Sequence, residues 1–232
     1  MIPKIIHYCW FGGKDKPEEF YRFKETWQRF MPDYHIKEWN ESNFDINYCE
    51  FTREAYASRN YAHVSDVCRL YALYTEGGIY FDTDIEVCQT LNPYLHLNSF
   101  LGVEHEYLGT GVIGAEPGAK WLDIFLNYYR TKHFINLWGH TVRTPNTKIL
   151  TEDIMPVIPD KDKPTIYAKD YFCGKIWQTG EIVKTENTAT IHHYAASWRR
   201  HKTLKQKISA IIEGLSIRYL HKAGRSSSEH AC

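Results

Sequence analysis

The stretch from Ala62 to Asp84 constrains this 232-residue chain most. Val67, Leu70, Tyr71 and Tyr74 recur at helical spacing and predict an amphipathic helix from Ala62 to Glu76. Gly77-Gly78 ends it, as glycine does at helix C-termini. Ile79-Tyr80-Phe81 then reads as a short buried strand, and Asp82-Thr83-Asp84 follows at once. In extended chain, residues two apart project to the same side, so both carboxylates can face one ion. Two carboxylates beside a buried strand need a counter-ion. Hard oxygen ligands suit Mn²⁺ or Mg²⁺. The pattern alone proves little, because Asp160-Lys161-Asp162 repeats it in a proline-flanked polar loop. That second copy reads as solvated surface charge.

The rest of the chain predicts an α/β fold. Ile2–Trp10 reads as a strand, Pro17–Met31 as a helix and Tyr34–Trp39 as a strand, a β-α-β opening that calls for a parallel sheet covered by helices. Ile85–Cys88, Phe100–Val103, Val112–Ala115 and Thr188–His192 are further strand candidates. Trp121–Tyr129 and Thr147–Met155 read as helices, and Pro156–Pro164 as a loop. Lys202–His221 reads as a last amphipathic helix with Leu204, Ile208, Ile211, Ile212, Leu215 and Tyr219 on one face. The expected organisation is a domain over 1–200, a basic amphipathic helix over 201–223, and a disordered tail over 224–232.

Composition narrows the class. A hydrophobic fraction of 43% with 24% charged residues fits a globular chain able to bury a core. No apolar run reaches the roughly 18 residues of a membrane span, and no signal peptide is evident. None of the 6 cysteines forms C-x-x-C, which favours a reducing, cytoplasmic setting. Net charge is zero, yet Arg199, Arg200, Lys202, Lys205, Lys207, Arg218 and Lys222 cluster against one acid, Glu213. That asymmetry suggests a basic surface for lipid or phosphate, with peripheral membrane association through 199–222. Nothing calls for nucleic acid.

Three further groups carry chemistry. Asp66 and Arg69 share one helix face; Arg69 could hold a sugar hydroxyl or phosphate, although a plain intrahelical ion pair is the commoner outcome. His192-His193 ends a strand, and alternation lets one of the two reach a metal, against packing in the core or at the surface. Trp10, with Gly12-Gly13, lies past the carboxyl end of the first strand, where α/β sheets bind ligands. It could stack on a base or simply cap the core. There is no P-loop, no G-x-S-x-G and no Cys/His nucleophile pair.

Together, Ile-Pro-Lys-Ile-Ile-His-Tyr-Cys-Trp-Phe-Gly and Ser-Asp-Val-Cys-Arg-Leu-Tyr-Ala-Leu-Tyr-Thr-Glu-Gly-Gly-Ile-Tyr-Phe-Asp-Thr-Asp resemble the DXD-containing sugar-transferase family, glycosyltransferase family thirty-two. It includes capsular-polysaccharide glycosyltransferases and yeast initiating mannosyltransferases, and is related to the large clostridial glucosylating toxins. The match runs from Ile2 to about Val87, and resumes at Gly111–Gly118 and His192–Trp198. The resemblance implies a GT-A fold with a Rossmann-like, mostly parallel sheet, and retention of anomeric configuration. It implies Trp10 on the base, Asp66 on the ribose or sugar, Arg69 on the sugar, and Asp82 on ribose and metal. Asp84 and His193 would bind the metal. Tyr80, Thr110, Ser197 and Trp198 complete the donor site, the last two near the diphosphate; Asp82, Asp84 and Arg69 are the catalytic set. Two departures bear on donor choice: Thr110-Gly111 where relatives often carry Asn, and Thr144-Pro145 where they often carry Gly-Pro.

The expected activity is transfer of a hexose, of galactose or glucose type, from a UDP-sugar to a saccharide acceptor with Mn²⁺ or Mg²⁺. The setting expected is bacterial capsular or surface polysaccharide synthesis, in the cytoplasm or at the inner face of its membrane, with a lipid-linked acceptor. A nucleotide-sugar hydrolase and a non-catalytic nucleotide-sugar-binding module are the alternatives.

Overall fold

The computed structural model describes residues 1–176, 178–195, 208–209 and 211–219. The β-α-β opening forms as expected: β1 (Ile5–Cys9), α1 (Glu18–Phe30) and β2 (His35–Trp39). Pro17 stands at the N-terminus of α1, where a missing N–H costs nothing. α1 buries Phe20, Phe23 and Trp27, and the Trp27 Nε1–H donates to Ile85 O at 2.7 Å.

Then come α2 (Glu50–Ala57), which has no counterpart among the elements expected from sequence, α3 (Tyr61–Glu76), β3 (Gly78–Phe81) and β4 (Ile85–Val87). Gly77 and Gly78 have φ of +64° and +108°, backbone that favours glycine. A Cβ on Gly78 would also sit 2.7 Å from Ile5 O, so the α3–β3 turn lies directly against β1. β5 (Ser99–Glu104), β6 (Tyr107–Ala115), α4 (Lys120–Arg130), α5 (Asn146–Ile149), β7 (Thr165–Tyr167), α6 (Lys169–Phe172) and β8 (Thr190–His192) complete the named elements. The helix expected over Thr147–Met155 is α5 followed by a π-helical stretch, Leu150–Ile154.

Six strands form one mixed, mostly parallel sheet in the order β2-β1-β3-β6-β5-β7. β1 pairs in parallel with β2 and β3, β5 in parallel with β7, and β6 runs antiparallel to β3 and β5. Alternation divides the core. Tyr80 faces the layer of α2, α3 and α4, while Ile79 and Phe81 face α1. Because β1 and β3 are parallel neighbours, Trp10 and Asp82 emerge at the same sheet edge. β4 and β8 form a separate antiparallel pair with Ile85 opposite His192.

The apolar face expected on the C-terminal helix does not face the core. Residues 208–209 and 211–219 are helical, but Ile208, Ile212, Leu215 and Tyr219 are 53%, 62%, 36% and 45% exposed. Gly214 docks instead: a Cβ there would lie 2.3 Å from Gly139 O. This close backbone approach turns the glycine face inward, and Ile217 packs on the core beside it. Leu204, the cations of 199–207, Lys222 and the expected tail 224–232 lie outside the described residues.

Candidate active site

α3 presents Asp66 and Arg69 one turn apart, at the end of the sheet. Arg69 is 5% exposed. Its Nη2 pairs with Asp66 Oδ1 at 3.1 Å and its Nη1 with Asp82 Oδ1 at 3.1 Å. Nη1 also donates to Thr110 O at 2.6 Å, and Nε to Ser65 O at 3.3 Å. The guanidinium lies 4.6 Å from the Tyr80 ring centroid. The intrahelical ion pair therefore exists, as one arm of a hub joining α3, β3 and β6. Burial opposes the Arg69 charge, but Asp82, Tyr80 and Asp66 more than offset it. Burial pushes the Asp66 carboxyl up to about 7, against Arg69 and with help from Asp82.

Asp82 leaves β3 with its N–H bonded to Gly111 O at 2.9 Å, and Tyr80 Oη donates to its Oδ1 at 3.0 Å. Asp84 lies two residues on. Its Oδ2 accepts the Ala195 N–H at 2.8 Å and its Oδ1 lies 3.2 Å from His192 Nε2. Burial alone would raise Asp84; the His192 imidazole and the Ala195 N–H instead hold it well below the usual carboxylate range.

The two aspartates and His192 each offer a ligand atom, all within 4.8 Å of one another. Ligands at about 2.0–2.3 Å around one ion lie up to about 4.6 Å apart. Two carboxylates and an imidazole therefore fit a divalent cation in both spacing and chemistry.

Of the histidine pair, His192 and not the expected His193 lies beside the two aspartates. His193 points to the other side, with Nε2 at 2.8 Å from Glu86 Oε2 and its ring stacked on Phe23 at 4.5 Å. His192 ends β8 and His193 follows it; successive residues in extended chain face opposite ways, and the pairing of His192 with Ile85 fixes which one meets the aspartates. Beyond His192 lie Glu104 and Cys173, which the sequence did not single out.

Trp10 sits at this edge, its Nε1–H donating to Lys14 O at 2.6 Å and its ring 5.8 Å from Lys16 Nζ. Thr110 belongs to the hub through its carbonyl. Its hydroxyl is bound to Asn146 Oδ1 at 2.7 Å, an asparagine that sequence reasoning passed over, although it follows the flagged Thr144-Pro145. Gly111 faces Asp82 and His192: a Cβ there would lie 3.0 Å from His192 Cε1 and 3.2 Å from Asp82 Oδ2. Asp160 and Asp162 bracket a short 3-10 turn, with Asp160 paired to Lys163 at 2.7 Å and its side chain 96% exposed. Solvated surface charge describes Asp160, whereas the Asp162 side chain is 18% exposed and lies 3.9 Å from Lys120 Nζ. Ser197 and Trp198 lie outside the described residues.

Comparison with known proteins matches these residues to a family. Residues 17–101 match the model described as glycosyltransferase sugar-binding region containing DXD motif. Over 100 residues the chain is 34% identical to inositol phosphoceramide mannosyltransferase 3 of Schizosaccharomyces pombe, covering 41% of this chain and 28% of that protein. Over 154 residues it is 28% identical to glucan organizing enzyme 1 of Cryptococcus neoformans var. grubii, covering 60% of this chain and 38% of that one. The chain thus spans well under half the length of either relative.

A solved structure, a glycosyltransferase involved in the glycosylation of the major capsid of PBCV-1, aligns over 90% of this chain and 100% of its own. Its TM-score is 0.51 at 15% identity, which shows a shared fold of the expected GT-A kind. Asp66, Arg69, Asp82 and Asp84 all fall inside the stretch that is similar to the glycosyltransferase sugar-binding region containing DXD motif, residues 17–101.

Proposed function

We propose that this chain is a glycosyltransferase that moves a hexosyl group from a nucleotide-sugar to a saccharide acceptor with retention. The observation that carries this is the convergence of Asp82, Asp84 and His192 beside the Asp66–Arg69 pair. Asp82, Asp84 and His192 would hold Mn²⁺ or Mg²⁺, which when bound supplies positive charge for the leaving diphosphate. Trp10 offers a ring for the base at the same sheet edge. Asp66 and Arg69 orient the donor, with Arg69 fixed by its four acceptors rather than free to swing.

No carboxylate here is assigned as a nucleophile. The acceptor oxygen therefore attacks the anomeric carbon from the face the diphosphate leaves. As the C–O bond to the diphosphate breaks, a departing phosphate oxygen takes the acceptor proton. A trapped covalent glycosyl-enzyme would overturn this mechanism.

The test is a panel of UDP- and GDP-sugars with Mn²⁺, scored for nucleotide release with and without saccharide acceptors. UDP-hexoses of galactose or glucose type come first; GDP-mannose belongs in the panel because one relative carries a mannosyltransferase name. Release that ignores every acceptor marks a hydrolase, and a donor bound without turnover marks a binding module.

A lipid-linked acceptor in surface polysaccharide synthesis is a second element of the reading. It draws on Leu137 and Trp138, 63% and 75% exposed, near Leu215 and Tyr219. Such an apolar patch suits the surface of a cytoplasmic membrane. Among the described residues no helix is long and apolar enough to cross one. In this division of labour 1–200 carries the chemistry and 201–223 the surface contact. Flotation with anionic vesicles tests it: a chain that stays unbound has no such surface.

A further inference from the structure

Asn146 opens α5 and is 6% exposed. Its Oδ1 accepts the Thr110 hydroxyl at 2.7 Å, while its Nδ2 is buried without a hydrogen-bond partner. A buried amide NH₂ left unpaired costs about 1–3 kcal/mol, and native structures rarely tolerate it without a reason. The amide is also held firmly. Thr110 is fixed through its carbonyl by Arg69, and the π-helical stretch after α5 is tied to β6 by Thr151 Oγ1, which accepts the Leu108 N–H at 2.8 Å. The π-helical stretch that follows α5 is a feature often found at functional sites.

The position relates this free donor to the site. Thr110 links the Asn146 amide to the hub: its hydroxyl donates to Asn146 Oδ1 and its carbonyl accepts from Arg69 Nη1, while the next residue, Gly111, faces His192 and Asp82. Phosphate charge belongs with the cation site at Asp82, Asp84 and His192. The Arg69 guanidinium is already engaged by Asp66, Asp82, Thr110 and Ser65. A neutral NH₂ in a buried place asks for a neutral acceptor, and a sugar hydroxyl supplies one.

We infer that Asn146 Nδ2 donates a hydrogen bond to a hydroxyl of the transferred sugar and so helps select the donor. This rests on the proposed nucleotide-sugar activity. Thr110, at the position expected to touch the sugar, instead acts through Asn146 by orienting its amide.

The experiment uses the best nucleotide-sugar from the donor panel and its single-deoxy analogues, with wild type, Asn146→Ala and Asn146→Asp. The aspartate variant keeps an acceptor for Thr110 and lacks the NH₂, and it serves where alanine fails to fold. On the full donor, kcat/KM should fall about 10- to 100-fold, the value of one buried hydrogen bond. With one deoxy donor, wild type and variants should converge; with the others the gap should persist. Affinity for the bare nucleoside diphosphate should stay unchanged.

Equal losses on every deoxy donor, or weaker binding of the bare diphosphate, would assign Asn146 a structural role and overturn the inference. No loss at all would mean that the NH₂ meets only buried water, and would overturn it equally. A wild type inactive with every nucleotide-sugar would sink the donor reading itself, and this inference with it.

Discussion

His192 Nε2 lies 3.2 Å from Asp84 Oδ1, whereas the neighbouring His193 turns its Nε2 to Glu86 at 2.8 Å. Two successive residues at the end of β8 thus send their imidazoles to two different jobs. His192→Ala should weaken Mn²⁺ binding by about tenfold or more, since it removes one of three converging side chains and changes the surroundings of the other two. His193→Ala should leave that affinity within about twofold while lowering the melting temperature, because it removes a ring stacked on Phe23. Titration of Mn²⁺ by electron paramagnetic resonance separates the two. Equal losses in both variants would refute the assignment of His192.

Arg69 should not tolerate lysine. Its guanidinium reaches two carboxylates and two carbonyls along different directions, and an ammonium on a flexible stem cannot reproduce that fork. Arg69→Lys should cut kcat/KM about 100-fold while the protein still folds. Arg69→Met should also lower stability by about 3–5 kcal/mol, because Asp66 and Asp82 lose the charge they face. Urea unfolding beside steady-state kinetics tests both, and an active, fully stable Arg69→Met would contradict the hub.

Much of this site was legible in the sequence. The helix, the Gly-Gly turn and the strand before Asp82 each carry a local signal, in periodicity, positive-φ glycines and a short apolar run. Those signals placed Asp82 and Asp84 after a buried strand, while the resemblance to the DXD family joined Asp66 and Arg69 to them; spacing alone favoured a plain ion pair. What stayed hidden depends on pairing and close approach. The choice between His192 and His193 needs the register of β8 on β4, a contact across more than a hundred residues. Asn146 needs the packing of α5 against β6. The inward face of the C-terminal helix is set by Gly214 on Gly139, which hydrophobic periodicity cannot register.

The second Asp-x-Asp supplies a control. Asp160 and Asp162 bracket a surface 3-10 turn. Asp160→Asn and Asp162→Asn together should leave turnover within about twofold of wild type, as surface substitutions away from a site do. Asp84→Asn should abolish turnover. A large loss from the surface pair would mean that this loop takes part.

Gly111 is placed where a side chain would crowd its neighbours by a few tenths of an ångström. A methyl group there would lie 3.0 Å from His192 Cε1, 3.1 Å from His192 Nδ1 and 3.2 Å from Asp82 Oδ2. Gly111→Ala should therefore push His192 away from the aspartates and weaken Mn²⁺ binding about tenfold, an effect of losing geometry rather than a ligand. Glycine in a strand otherwise weakens it, so melting temperature should hold or rise slightly. Unchanged Mn²⁺ affinity would show that the site can yield at no cost.

His7 predicts how stability responds to acid. The residue is fully buried. Its Nε2–H donates to Gly77 O at 2.7 Å and its Nδ1 accepts the Trp39 Nε1–H at 3.0 Å. Burial lowers its pKa to about 4, against smaller raising effects from Gly77 and Glu76. Burial lowers His63 to about 4 as well, with Arg143 adding to it. An unfolded histidine takes up its proton near pH 6.5, which the folded one refuses until about pH 4. The unfolded chain therefore binds more protons in that window. The contribution is present above pH 6.5 and is lost as pH falls toward 4, by roughly 2–3 kcal/mol per histidine. In urea melts from pH 7.5 to 4.5, His7→Gln should be less stable than wild type at pH 7.5, and the gap should narrow steadily as pH falls. A gap that stays constant across the range would mean that His7 gains its proton equally in both states, and that its two hydrogen bonds do not fix the neutral form.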